Sequence, residues 1–466
     1  MQLPDRSDTI CALATAPGMG AIAVIRISGP KTFTILNSIF ETKTNKSKDF
    51  NSVKSHTLHF GNIVFQNKVI DEVLLSVFKN PKSYTGEDTI EISCHGSTYI
   101  QQQLLQILQA SGARLAEPGE FTLRAFLNGK LDLTQAEAVA DLIASQHASA
   151  HTTAIQQLRG GYNSTIQALR QQLMDFASLI ELELDFAEED VEFANRDQLR
   201  ALINGLLKEV KSLRNSFDTG NAMKNGIPVV IAGKPNVGKS TLLNALLNEE
   251  KAIVSEIAGT TRDVVEDQLV IHGYRFRFMD TAGIRHSTDT IEKIGVERTY
   301  SHTEKASIAL YLCDPGQSKA EEIKNELEEL KAKSRNSTLS IITVINKTDQ
   351  FSEAILLPYR HLPSAIFISA KNKTHLDELK QMLIEESGVA NKENENQLVT
   401  NARHAASLLK AEDALTKVIT GMDDNLTSDF LALELKEAIY QLGSITGEIY
   451  TDDLLGNIFS KFCIGK

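Results

Sequence analysis

The stretch from Ile227 to Ser240, IPVVIAGKPNVGKS, restricts the fold more than any other part of the chain. Its apolar run Ile227–Ile231 predicts a buried strand. The strand runs into Gly233-Lys234-Pro235-Asn236-Val237-Gly238-Lys239-Ser240, the spacing G-x-x-x-x-G-K-[ST]. A helical pattern follows at once in Thr241, Leu242, Leu243, Ala245, Leu246 and Leu247. Strand, glycine loop and helix in succession are the setting in which this spacing grips phosphate. Gly233 and Gly238 let the backbone curl so that successive N–H groups face one anion. The helix N-terminus adds partial positive charge. Lys239 neutralises the outer phosphates, and Ser240 offers its hydroxyl to Mg²⁺.

A length of 466 residues with 42% hydrophobic content suggests about three domains with real cores. The net charge of −12 argues against non-specific coating of nucleic acid. Cys11, Cys94, Cys313 and Cys463 are scattered, which fits a reducing cytoplasm better than a disulfide framework or zinc site. No signal peptide and no apolar run long enough for a membrane span are seen.

The expected fold is multidomain. Residues 1–120 mix strands (Ala21–Ile27, His56–Phe65, Val69–Phe78, Thr89–Ser93) with a helix at Ile100–Ala110, an α+β domain. Residues 121–217 read as helical, with Ile166, Leu169, Leu173, Phe176, Ile180 and Leu184 stepping by three and four. The acidic run Glu181–Glu192 reads as a solvated helix face rather than a metal site. Asp218–Gly226 reads as a polar lead-in to an α/β domain at 218–387, in which strands and helices alternate in a doubly wound pattern. Residues 388–466 return to helix. Helices on both sides of the inserted α/β domain would form one discontinuous α-helical bundle.

The inserted domain carries companion motifs. Asn346-Lys347-Thr348-Asp349 follows an apolar strand. Its Asp349 carboxylate, an acceptor only, suits the two N–H groups of a guanine edge. Ser369-Ala370-Lys371 is the usual second contact to the base. Together they point to GTP rather than ATP. Asp280-Thr281-Ala282-Gly283 closes a strand, Asp280 reaching Mg²⁺ through water and Gly283 sensing the γ-phosphate. Gly259-Thr260-Thr261 lies between these motifs, with Thr261 the expected switch residue on Mg²⁺ and γ-phosphate. Nucleotide contacts are expected at Asn236, Val237, Gly238, Lys239, Ser240 and Thr241, and along Ser255, Glu256, Ile257, Ala258, Gly259, Thr260 and Thr261. Ile284 stands where many such GTPases place a water-orienting Gln, and Ile cannot hold a water. Asn236 is a candidate ligand for a monovalent cation doing the work of an arginine finger. Glu292 is a candidate to orient the water, although by itself it also reads as a surface helix acid.

Further signatures are PGEFTLRAFLN at 118–128, KLDL at 130–133, TGE at 446–448, DDLLG at 452–456 and the terminal FCIGK. With the nucleotide motifs they make the chain resemble the MnmE (TrmE) family of tRNA-modification GTPases over nearly its whole length. The resemblance implies an N-terminal folate-binding domain that forms a constitutive homodimer. It also implies G domains that meet in the GTP state, with K⁺ on Asn236 and on the backbone of Ser255, Ile257 and Thr260. Glu292 would orient the attacking water. It further implies a flavoprotein partner, MnmG (GidA), and tRNA as substrate, modified by an aminomethyl or carboxymethylaminomethyl group at C5 of the wobble uridine. 5-Formyltetrahydrofolate, or another tetrahydrofolate one-carbon derivative, would meet Arg26, Glu91, Lys130 and Lys466. A basic residue can pair a folate carboxylate, and a carboxylate can accept from pterin amino groups. Cys463 reads equally as a reactive thiol and as a small packed hydrophobe. The rival from another class is a ribosome-assembly GTPase without RNA chemistry; a third reading makes residues 1–125 an independent one-carbon transferase.

Overall fold

The computed structural model describes residues 7–42, 49–185, 196–249, 267–279, 304–334, 336, 339–389 and 397–466. The chain divides into two units, one of residues 1–143, 157–203 and 410–466, the other of residues 144–156 and 204–409.

In the first unit, β1 (Ile10–Leu13), β2 (Ile22–Ser28), β3 (Phe40–Thr42), β4 (Thr57–Phe65), β5 (Lys68–Phe78), β6 (Thr89–His95) and β7 (Arg114–Leu115) form one sheet in the order β3-β4-β5-β6-β2-β1-β7. Only the β1–β7 pairing is parallel. Gln66 (φ 51) and Asn67 (φ 61) are both left-handed and close the β4–β5 hairpin, a two-residue turn whose twist matches the strands. Strand alternation sends Ile25, Ile27, Val73, Leu75, Ile90 and Ile92 to one face, where Phe33, Leu36, Leu104 and Leu108 of the helices Thr32–Ile39 and Thr98–Ala110 cover them. The opposite face carries Arg26 and Glu91, and it leaves Leu58, Phe60 and Leu74 exposed at 64%, 52% and 39%.

The helix Asn163–Asp185 packs with Ser428–Thr446 in this unit, so segments from either side of the α/β domain meet. Lys436 pairs with Glu181 at 2.7 Å, and Arg170 pairs with Glu448. The solvated reading of the acidic run needs correction at Glu183. It is buried and takes Arg196 at 2.8 Å and the Ser428 hydroxyl at 3.4 Å. A buried carboxylate needs such partners; the sequence around it does not name Ser428, 245 residues on, or say that Arg196 turns back to it. Residues 186–192 lie outside the described residues.

The signature motifs converge here. Gly447 (φ 84) lies so close to Leu133 and Phe126 that a Cβ would come within 2.7 Å of both. Gly119 (φ 69) touches the backbone of Phe459, where a Cβ would meet the carbonyl oxygen at 2.6 Å. Leu123, Phe126, Leu133, Leu455, Phe459 and Phe462 share one buried cluster.

In the second unit, β8 (Ile227–Ala232), β9 (Asp267–Ile271), β10 (Tyr274–Phe278), β11 (Ile308–Cys313), β12 (Ser340–Ile345) and β13 (Ala365–Phe367) are ordered β13-β12-β11-β8-β10-β9. All neighbours are parallel except β9 with β10, an antiparallel edge closed by His272 (φ 49) and Gly273 (φ 89). All six residues of β11 are buried, as a strand covered on both faces requires. Separate apolar clusters lie on the two faces, Leu310 and Leu312 in one, Tyr311 and Cys313 in the other.

Asp218–Gly226 is not a polar lead-in: Phe217–Asn225 is helical and ends at Gly226 (φ 94). Tertiary packing overrides its poor helix composition. A Cβ at Gly220 would come within 2.3 Å of the Val399 carbonyl oxygen, so the glycine is needed for close approach. The unit is also wider than the expected 218–387. Residues 144–156 belong to it, with Ser149 N–H donating to the Gly273 carbonyl at 3.1 Å and Arg275 donating to Gln146 at 2.6 Å.

Candidate active site

β8 delivers the chain into the glycine loop, and the helix Lys239–Glu249 leaves it. Both glycines are needed. Gly233 (φ 134) lies against β11, where a Cβ would stand 2.2 Å from the Leu312 carbonyl oxygen. Gly238 (φ 103) would bring a Cβ within 2.3 Å of Asn346 Nδ2. Between them Asn236 is exposed and left-handed (φ 61), a conformation asparagine tolerates better than most residues. Val237 is buried beneath the loop. Lys239 Nζ donates to the carbonyls of Gly233 and Lys234 at 2.6 and 2.9 Å, so the ammonium arches over the loop mouth. Burial holds its pKa below the ordinary lysine value, and an anion in the loop would raise it again. Ser240 and Thr241 sit in the first helical turn. Such a cradle, with a hydroxyl at its end, fits a phosphate chain carrying Mg²⁺ on Ser240.

The base-recognition motifs join this loop. Asn346 is buried; its Nδ2 donates to the Val237 carbonyl at 2.8 Å and its Oδ1 accepts from Ala370 N–H at 3.0 Å. Asn346 is therefore a clamp between the phosphate loop and Ser369-Ala370-Lys371. Ser369 is buried and pairs its backbone with Thr374, and its hydroxyl accepts from Asn372 N–H. Lys371 is exposed. Asp349 is exposed in the short turn Thr348–Gln350, its carboxylate within reach of a ligand. Lys347 spans to the Asn236 carbonyl at 2.9 Å and to Asp314 at 2.7 Å. Asp314 escapes sequence reasoning. The available signal is an acid directly after the wholly apolar β11.

Ser255, Glu256, Ile257, Ala258, Gly259, Thr260, Thr261, Asp280, Thr281, Ala282, Gly283 and Glu292 lie outside the described residues. Among the described residues no cluster of three or more His, Cys, Asp or Glu could hold a metal, and no helix is long and apolar enough to cross a membrane.

In the first unit, Arg26 and Glu91 are cross-strand partners on β2 and β6. Arg26 Nε and Nη2 donate to Glu91 Oε1 at 3.0 and 2.8 Å. The guanidinium lies 5.3 Å from the Tyr84 ring centre and 5.6 Å from that of Phe121. Its Nη1 reaches the Gly465 carbonyl at 3.4 Å, which brings the terminal Lys466 to the same place. Gly465 (φ 94) makes this possible, since a Cβ would strike the Leu13 carbonyl oxygen at 2.2 Å. Lys130 extends past Gly86 and donates to the Pro81 carbonyl at 3.0 Å, on the loop that supplies Tyr84. Arg26 and Glu91 thus stand side by side on one face of the sheet. Cys463 is exposed, whereas burial pushes the thiols of Cys11, Cys94 and Cys313 up to about 11, 11 and 12.

The same unit holds a partly buried charge network centred on Arg124 and Glu120. Arg124 is 2% exposed and donates to Asp8, Glu87 and Glu120, while Arg114 takes Asp8 at 2.6 Å and Glu120 at 2.7 Å. Desolvation pushes the Asp8 carboxyl upward, but hydrogen bonds and charge from Arg114 and Arg124 outweigh it and hold its pKa below 3.8.

A phosphate loop tied by Asn346 and Lys347 to a guanine-type base motif defines an enzyme of the P-loop class, a GTPase. Comparison with known proteins narrows this class. The family model described as MnmE helical domain matches residues 133–463, and that described as GTP-binding protein TrmE N-terminus matches residues 9–130. The tRNA modification GTPase MnmE of Flavobacterium johnsoniae is 56% identical, over 98% of this chain and 99% of its own. Its counterpart in Cytophaga hutchinsonii is 53% identical, over 99% and 98%. The G domain of the T. maritima FeoB iron transporter is similar to 34% of this chain and covers 98% of its own, at 24% identity and a TM-score of 0.25, too low to add to the assignment. The chain belongs to the MnmE family of tRNA modification GTPases.

Proposed function

We propose that GTP binding and hydrolysis in this chain drive opening and closing of paired G domains in the service of tRNA modification. With a flavoprotein partner, MnmG (GidA), the chain would install an aminomethyl or carboxymethylaminomethyl group at C5 of the wobble uridine. The loop N–H groups and Lys239 hold the phosphates, and Asp349 with Ser369-Ala370-Lys371 reads the guanine. Thr261 and Gly283 contact the γ-phosphate only before hydrolysis, which makes them the source of the conformational signal. Glu292 orients the attacking water in place of the Gln that Ile284 replaces. Ser240 and Thr261 would hold Mg²⁺, which would supply positive charge to the phosphates. Bound K⁺, on Asn236 and the backbone of Ser255, Ile257 and Thr260, supplies the positive charge of an arginine finger; the exposed Asn236 side chain fits that role.

A second copy of the chain would cover the sheet face that exposes Leu58, Phe60 and Leu74. Apolar groups gathered on one uncovered sheet face are a common mark of an interface. Arg26 and Glu91 lie on that face, so the tetrahydrofolate site would sit beside the seam. The paired Arg26 and Glu91, the half-buried Tyr84 ring and the Lys130 and Lys466 ammonium groups fit a flat, polar-edged ring with an acidic tail, with the buried Phe121 ring backing Arg26. When bound, the tetrahydrofolate derivative supplies a one-carbon unit.

The observation that carries this reading is the seating of the FCIGK tail beside Arg26 and Glu91, in a chain whose other unit bears the guanine-nucleotide loop. Nucleoside analysis of tRNA from a deletion strain tests it. Loss of the C5-substituted wobble uridine is expected. An unchanged nucleoside profile, with immature ribosomal particles accumulating, favours the ribosome-assembly switch instead.

A further inference from the structure

Asp314 belongs to none of the nucleotide motifs, yet it ends a rigid relay into the phosphate loop. It follows the last residue of β11, a strand at the centre of the second sheet. It is 5% exposed, and its Oδ1 accepts from Gly316 N–H at 2.9 Å. Its Oδ2 holds Lys347 Nζ at 2.7 Å, and the same ammonium donates to the Asn236 carbonyl at 2.9 Å. Asn236 is left-handed at φ 61. An asparagine tolerates that conformation without requiring it, so something must select it. Its side chain leaves the backbone in a direction set by that φ. A lysine stem is flexible, and without a fixed anion its ammonium would not hold one carbonyl in one place.

We propose that Asp314 is a positioning residue for catalysis: through Lys347 it holds the Asn236 backbone in the left-handed turn that aims the Asn236 amide at a monovalent cation. Asp314 thereby sets the cation requirement of the loop from one side chain away from any ligand. The inference rests on the reading of Asn236 as a cation ligand. It also accounts for the geometry of Lys347, whose donors serve the loop and the acid together.

The test uses the full-length chain with Asp314→Asn, which keeps the shape and removes the charge. The K⁺ concentration for half-maximal GTP hydrolysis is expected to rise about tenfold, the size that losing a charged hydrogen bond gives. The rate at saturating K⁺ is expected to recover. Release of a fluorescent GDP analogue, measured in Na⁺ buffer without turnover, is expected to quicken several-fold as the loop loosens. A purely structural ion pair would lower thermal stability and leave the K⁺ requirement where it was; that result overturns the proposal. Wild-type turnover equal in K⁺ and Na⁺ overturns it too, and shows that the cation reading beneath it failed first. If Asp314→Asn does not fold, Asp314→Glu keeps the charge and displaces the carboxylate by one methylene. The same K⁺ titration then decides by the same criterion.

Discussion

The glycine loop of the second unit is built of contiguous backbone, whereas the Arg26–Glu91 pair of the first, the proposed second site, is built of side chains from distant strands. In the loop, residues 233–240 are contiguous, and the glycines matter because the space for a Cβ is already filled by Leu312 and Asn346. In the first unit, Arg26, Glu91 and Gly465 come from three distant places and meet through strand register and a docked tail. The two designs should fail differently. Backbone crowding should destroy the first site and spare the second. Loss of buried charge should do the reverse.

The largest expected effect is on folding of the first unit. Arg124→Ala takes from Glu87 its cation and leaves Asp8 and Glu120 to Arg114 alone, and removing one partner of a buried pair costs up to about 3–5 kcal/mol. Amide exchange in β1 and β2 should accelerate accordingly, with GDP affinity unchanged. A matching loss of GDP affinity would break the contrast between the units. Next comes Gly238→Ala. The left-handed backbone and the contact with Asn346 together predict a loss of GDP affinity on the order of 100-fold by calorimetric titration. Near-wild-type affinity would mean that the loop relaxes, against the crowding seen here.

The smallest effect is a pH dependence confined to the first unit. The folded Asp8 carboxyl titrates below its ordinary 3.8. Its stabilisation is therefore fully present above pH 3.8 and is lost as pH falls through the lower folded value. Acid unfolding of wild type and Asp8→Asn should show the largest stability difference near neutrality and a vanishing one in strong acid. A difference that persists there would detach the Asp8 ion pair from acid sensitivity.

Legibility in the sequence followed contiguity. Strands β4, β5, β11 and β12 were readable because alternation or continuous burial marks each one locally. The roles of Asn346 and Lys347 were only half readable. Their motif names the base contact, but nothing in it says that both side chains turn back to the loop, at Val237 and Asn236. Asp314 was missed because its partner Lys347 lies 33 residues away, and the burial of Glu183 because it depends on Arg196, 13 residues on, and on Ser428, 245 residues on. The helix Phe217–Asn225 was missed because its stability comes from tertiary contacts rather than composition.

By itself, the sequence determined what short-range chemistry can encode: the glycine loop and its helix, the strand periods and the motifs that mark the family. Only the tertiary structure decided which distant charges pair, why Gly447, Gly465 and Gly119 must lack side chains, and how Asp314 reaches the loop. Backbone conformation depends on neighbours a few residues apart, whereas burial and ion pairing depend on whichever segments the fold brings together.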